Sequence, residues 1–331
     1  MRSRFHELDG VRGLLSFVIL LFHLGLNPLV GSLTFGYVAA GRYELAVDFF
    51  FILSGFVLCH VSVGRRPDVL RFLAGRAFRM LPVASASLGL CMLANHSTGD
   101  LGTLIANLFL VQLFIGLPHL NRVAWSACSE MWMPAFLGLG AWVGRKQCRS
   151  LLWSLLILMW MLSGIAMLGD SFENRHLIEV LRSVGGLSAG FLLCMLFPAS
   201  KDEPALPASP LIPGLLLGAA GLIMVFGRKY SLLVYAFPLV AGFAIVGLLH
   251  TKTFLSGRIC QFLGARSYAL YMMHWPVLLI FSSYFGPDAL KGNIFIKLAI
   301  ITASLLLADL THRYVELPAL RIRGFLMPGG I

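Results

Sequence analysis

Eleven predominantly apolar runs alternate with short polar joints: residues 11–30, 45–63, 79–95, 102–117, 125–143, 151–169, 179–197, 211–227, 231–250, 268–286 and 293–314. A helix of about 20 residues crosses roughly 30 Å of hydrocarbon, and most of these runs are long enough to do so. Open sheets cannot leave their edges in lipid, so the runs predict helices. No repeat or low-complexity tract interrupts the pattern, and Lys201–Pro210 is the longest Pro-rich joint. Neither end carries a stretch that reads as a soluble domain. The expectation is a single integral-membrane domain over 1–331, an all-α polytopic bundle.

The joints orient this bundle. Basic clusters fall at the N-terminus, at Arg65–Arg79, Arg145–Arg149, Lys252–Arg266 and Arg313–Arg323. All five face the cytoplasm, as Lys and Arg prefer, if one run between Asn95 and Val143 does not cross. The shortest candidate is 102–117. That predicts about ten spans, one additional short or re-entrant apolar helix, and both termini in the cytoplasm of a bacterial inner membrane. Arg228-Lys229 is the exception, falling on the outer side. On this topology Asp48 and Glu130 lie near the outer ends of their helices. Arg76 and Arg79 lie at the inner face, and His23 and His274 at intermediate depth.

Composition agrees. Hydrophobic residues make up 58% of the chain and charged residues 12%, with a mean hydropathy of +0.83, more apolar surface than a soluble core absorbs. The net charge of +11 is accounted for by cytoplasmic joints rather than by a nucleic-acid partner. Arg2 and Arg4 precede an apolar run too long for a cleaved leader, so it reads as a retained first span. The six cysteines are dispersed and form no C-x-x-C, which predicts small apolar residues and no metal or disulfide framework.

Against this background the ionisable residues inside the runs stand out, because such groups are costly in hydrocarbon and usually face a cavity. Arg12 and His23 are eleven residues apart, nearly the same helix face and about 16.5 Å along the axis. An arginine at one mouth and an imidazole further in suit anion holding and proton chemistry. A packed, hydrogen-bonded histidine is the plain alternative. Arg76 and Arg79, three apart, share a face on which guanidinium groups grip a polyphosphate. Their plain reading is a positive-inside cluster. Asp48 opens the aromatic run Phe49-Phe50-Phe51 and reads equally as a helix-end acid. Glu130, among apolar and aromatic neighbours, needs a partner. Tyr271 and His274 share a face within a span, beside an aromatic belt of Tyr268 and Trp275.

Taken in order, these patches resemble one family. Leu8-Asp9-Gly10-Val11-Arg12-Gly13 followed by His23 is similar to the opening of the acyltransferase-3 membrane acyltransferases. Val47-Asp48-Phe49-Phe50-Phe51-Ile52-Leu53-Ser54-Gly55-Phe56 resembles the second-helix signature, and Arg76-x-x-Arg79 with Pro82 its R-x-x-R segment. Trp125-Ser126 through Glu130 resembles its W-S-L-S-x-E segment. Ser267-Tyr268-x-x-Tyr271-x-x-His274-x-Pro276 resembles its late S-Y-x-x-Y-x-x-H-x-P segment. The matches run from residue 8 to 276. The chain departs after Glu130, where Met131-Trp132 stands in place of the usual continuation to Gln-Phe-Tyr.

The resemblance implies an acyltransferase that moves an acyl group, often acetyl, from cytoplasmic acyl-CoA to a hydroxyl of a sugar or cell-surface glycan. Acyl-CoA is then the donor substrate, and no resident cofactor is needed. Membrane lipid and the acceptor complete the partners. Arg12, Arg76 and Arg79 would hold CoA phosphates. His23 would be the general base, with Glu130 or Asp48 orienting its ring or placing the acceptor, and Tyr271 and His274 would contact substrate. Direct transfer and transfer through an acyl-histidine both fit. With no outer hydrolase-like segment in the sequence, the membrane domain would complete the transfer itself. The competing reading is a proton-coupled secondary transporter of a small anion, in which the intramembrane His, Asp and Glu form a relay.

Overall fold

The computed structural model describes residues 5–25, 44–62, 68–95, 99–147, 149–168, 175–197, 209–226, 232–249, 251–286 and 293–327. Twelve α-helices are found among them: α1 His6–His23, α2 Leu45–Ser62, α3 Val69–Asn95, α4 Leu101–Leu108, α5 Ala124–Gln147, α6 Arg149–Leu168, α7 Arg175–Leu196, α8 Leu211–Phe226, α9 Leu232–Leu248, α10 Arg258–Phe285, α11 Ile294–Thr311 and α12 Leu317–Leu326. No strand occurs among the described residues. Three helical stretches, Val69–Ala94, His176–Leu196 and Ile294–Leu326, are long and apolar enough to cross a membrane, and Leu45–His60, Leu211–Val225 and Tyr235–Leu248 are shorter apolar helices. The chain is an all-helical, membrane-embedded protein. Arg65-Arg66, Cys148, Lys201–Ala208 and Arg228-Lys229 lie outside the described residues.

Each apolar run holds one helix, but the bounds move. The first helix starts at His6 and ends at His23 rather than running from 11 to 30, so the imidazole closes the helix about 26 Å from its start. The basic joints are largely helical too. Arg71, Arg76 and Arg79 belong to α3, Arg258 and Arg266 to α10, and Arg321 and Arg323 to α12. Hydropathy alone places a helix end where apolar residues stop, whereas backbone hydrogen bonding continues through long, helix-favouring Arg side chains.

The chain divides into two compact units. The first comprises residues 1–15, 27–67 and 133–264. Its centre is the contact of α2 with α7, where small residues bring two backbones together. A Cβ on Gly55 would strike the Leu187 carbonyl, and one on Gly190 the Ile52 carbonyl. Close approach through small residues is how helices associate where lipid removes the hydrophobic drive. The start of α1 is held likewise: Gly10 meets the Leu255 carbonyl, and Gly13 the backbone of Leu263 and Gly264. The Gln261 amide donates to the His6 and Leu255 carbonyls at 2.6 and 3.0 Å.

The second unit comprises residues 16–26, 68–132 and 265–331. The run 102–117 is helical only as far as Leu108. Helix α4 has eight residues, about 12 Å, too short to cross. Asp100 caps it, accepting from the Thr103 backbone N–H at 2.9 Å and the Thr103 hydroxyl at 2.6 Å. Asn107 then turns the chain back, donating to the Pro118 carbonyl at 2.9 Å while its own carbonyl accepts from Leu120 N–H. Leu298, Leu306 and Leu310 on α11 are exposed, an apolar face suited to lipid.

Helix α10 carries Pro276, which has no N–H to bond the Met272 carbonyl one turn back. Two side chains supply the missing donors. The Ser87 hydroxyl donates to that carbonyl at 2.8 Å and the Asn121 amide at 3.1 Å, and Asn121 also donates to Ser87 Oγ.

Candidate functional site

The second unit gathers most of the expected site residues. His23, at the end of α1, presents Nδ1 to the Ile19 carbonyl at 3.0 Å and to His274 Nε2 at 3.3 Å. His274, in the middle of α10, is fully buried and presents Nδ1 to the Leu270 carbonyl at 3.2 Å. His23 itself is half-buried, so it is the one of the two rings that keeps exposed surface. His274, expected from the sequence to contact substrate, is bonded to His23. Trp275 sets its ring 5.5 Å from that of His23, edge to face, and the Arg122 guanidinium lies 5.7 Å from the Trp275 ring centroid.

One helical turn before His274, Tyr271 is buried, with ring centroids 6.0 Å apart. Its hydroxyl donates to the Val123 carbonyl at 3.0 Å and meets Ser126 Oγ at 2.7 Å. The Ser126 hydroxyl also reaches the Val123 carbonyl, at 3.3 Å, so the two hydroxyls and one carbonyl form a closed group. Tyr271, too, is thus held inside the helix packing. Ser126 lies one turn before Glu130 on α5. Glu130 accepts from Arg76 Nη2 at 2.7 Å, in a pair whose side chains are 27% and 19% exposed. The Tyr268 hydroxyl donates to the Met80 carbonyl at 3.0 Å, joining α10 to α3 next to Arg79.

Side chains thus form a line of three polar pairs within this unit. They are Arg76 with Glu130, Ser126 with Tyr271, and His274 with His23. Arg76 and Arg79 do not act alike. Arg76 is paired, whereas Arg79 is exposed and makes no hydrogen bond among the described residues.

Asp48 is held by Arg182. It belongs to the first unit, 1% exposed, with both carboxylate oxygens taken by Arg182 of α7 at 2.8 and 3.3 Å. Arg182 also donates to the Glu44 carbonyl at 3.3 Å. Glu130 and Asp48, expected to orient the His23 ring or to place the acceptor, are each held by an arginine, and His274 is the side chain bonded to that ring. Arg12 lies half-buried on α1, eleven residues before His23.

Sequence reasoning passed over several residues. Arg182 and its neighbour Glu179 were visible as charges inside the apolar run 179–197. Pro276 signals an orphan carbonyl at Met272, which calls for donors, yet only the fold identifies them as Ser87 and Asn121. Arg122 stands alone in a joint, and nothing in the sequence pairs it with Trp275.

No solved structure matches the chain. Among curated proteins it is 22% identical over 363 residues to the O-acetyltransferase OatA of Staphylococcus aureus, covering 96% of this chain and 57% of the relative. It is 21% identical over 372 residues to the peptidoglycan O-acetyltransferase OatA of Listeria monocytogenes, covering 97% and 56%. The chain thus spans a little over half the length of these relatives. The family model described as an acyltransferase domain matches residues 5–313, nearly the whole chain and every residue of the polar line. The chain belongs to the acyltransferase-3 family of enzymes.

Proposed function

We propose that the chain is a membrane O-acyltransferase that moves an acetyl group from cytoplasmic acyl-CoA to a hydroxyl of a sugar or lipid-linked cell-surface glycan. The observation that carries this reading is the half-buried His23 imidazole braced by a fully buried partner, His274. A general base must be both reachable and fixed, and among the described residues this ring combines the two. The family match and the relatives named O-acetyltransferases support the reaction class.

In this mechanism His23 accepts the proton of the acceptor hydroxyl as its oxygen attacks the thioester carbonyl. The tetrahedral intermediate collapses with cleavage of the C–S bond, and the proton passes from the imidazole to the departing thiolate. General-base assistance of this kind contributes about 10²–10⁴-fold. Arg76 and Arg79 hold CoA phosphates, with Arg76 positioned by Glu130. Ten spans with both termini in the cytoplasm of a bacterial inner membrane would put the arginines on the donor side.

The test is CoA thiol release by purified protein given acetyl-CoA and solubilised cell-envelope glycans of the host. His23→Ala should abolish release while acetyl-CoA still binds. Arg79→Ala should weaken acetyl-CoA binding with a smaller effect on turnover. Unchanged turnover in His23→Ala would remove His23 from the chemistry, and an absence of thiol release from the wild type with every glycan fraction would favour a transporter.

A further inference from the structure

The structure assigns His274 as the positioning residue that fixes the His23 ring in the neutral form carrying its proton on Nδ1, leaving Nε2 as the basic atom. This rests on the reading of His23 as general base. The carbonyls of Ile19 and Leu270 can only accept, so the nitrogen facing each must carry hydrogen. His274 Nδ1, 3.2 Å from the Leu270 carbonyl, is therefore a donor. In a fully buried neutral ring that leaves His274 Nε2 as a lone pair. His23 Nδ1, 3.0 Å from the Ile19 carbonyl, is likewise a donor, and it lies 3.3 Å from that same lone pair. One N–H is thus shared between two acceptors. The opposite assignment, His274 donating from Nε2, would leave it charged in a fully buried site. It would also set the His23 lone pair against the Ile19 oxygen.

The consequence is a division of labour between two chemically identical side chains. His23 Nε2 takes the proton, and the Nδ1–H then bonds more strongly to His274 as the ring becomes cationic. His274 gains and loses no proton through the cycle. Its role is the one a carboxylate commonly has beside a catalytic imidazole, holding tautomer and ring orientation. A neutral acceptor does so without placing a second charge in the helix packing.

Magnetic resonance of histidine-labelled protein in nanodiscs reads the tautomer directly, with the His23 signals identified by their loss in His23→Ala. The wild type should show His23 as a single neutral form protonated at Nδ1. His274→Leu should give mixed tautomers and lower turnover of acetyl-CoA at least tenfold, with its KM unchanged. His274→Gln, whose amide oxygen can accept at nearly the same place, should restore most of both. A wild-type His23 protonated at Nε2 would overturn the inference, and so would a His274→Leu protein with unaltered tautomer and turnover. If His274→Leu does not fold, the wild-type spectrum and His274→Gln decide. Turnover surviving in His23→Ala, with the tautomer as expected, would sink the general-base reading and leave the assignment of the ring pair intact.

Discussion

Two acid–arginine pairs, one in each unit, have nearly the same contact distance and opposite characters. Asp48–Arg182 is 2.8 Å and Arg76–Glu130 is 2.7 Å. In the first, the carboxylate is 2% exposed, a guanidinium fork engages both oxygens, and a backbone carbonyl takes a further N–H. In the second, both side chains retain exposure and Arg76 Nε donates to no group among the described residues. A buried pair engaged through both oxygens and anchored to the backbone serves the fold. A pair with an idle donor costs stability, and its retention beside the exposed Arg79 fits a ligand site. Contact distance alone does not separate structural from functional ion pairs, whereas the remaining hydrogen-bonding capacity does.

This contrast is open to attack. Asp48→Ala should be the most damaging change, since it removes the carboxylate that grips the buried Arg182 guanidinium through both oxygens, at a cost of about 3–5 kcal/mol. Thermal unfolding in detergent would measure it, and Asp48→Leu combined with Arg182→Met should recover much of the loss. Glu130→Gln should behave in the opposite way. The fold should change by about 1 kcal/mol or less, while acetyl transfer falls on the order of tenfold, equivalent to about 1.4 kcal/mol. If instead Glu130→Gln unfolds the protein and Asp48→Ala only lowers activity, the roles assigned to the two pairs are reversed.

Smaller effects sharpen the picture. Gly190→Leu should separate α2 from α7 and cost about 1–3 kcal/mol, visible as a lowered melting temperature. In the second unit, replacing Ser87 by Ala and Asn121 by Leu together should strand the Met272 carbonyl, again about 1–3 kcal/mol, but with an accompanying loss of acetyl transfer that Gly190→Leu should not show once the protein is folded. The mildest effect concerns Asp100. Its hydrogen bonds from Thr103 hold the carboxyl below the ordinary carboxylate range. The ionised form is thus favoured by the cap, whose contribution persists above that range and fades as pH drops through the lowered value. Amide exchange at Thr103 and Leu104 should accelerate only in that acidic window.

Much of this was legible in the sequence, for reasons that differ by residue. The helices announced themselves because lipid permits little else for long apolar runs. The failure of 102–117 to cross was readable from its length and from the basic joints on either side. His23, Glu130 and Arg76 stood out as charges or titratable groups out of place. Their partners were less visible, because partnership is set by which helices pack. Nothing local ties His23 to a residue 251 positions away, or Asp48 to Arg182 at 134 positions. Two acids near the imidazole in the motif order invited the expectation that one of them supports it. Helix packing brought a second histidine there instead.

The proline in α10 has a consequence for how this protein tolerates change. Putting an ordinary residue at position 276 would repair a gap in one helix. The new amide would then compete with Ser87 and Asn121 for the same Met272 oxygen, two residues from His274. A substitution that improves α10 as an isolated segment would loosen its ties to α3 and to the turn before α5. Within this protein, the weak point of one helix is where three segments are fastened together.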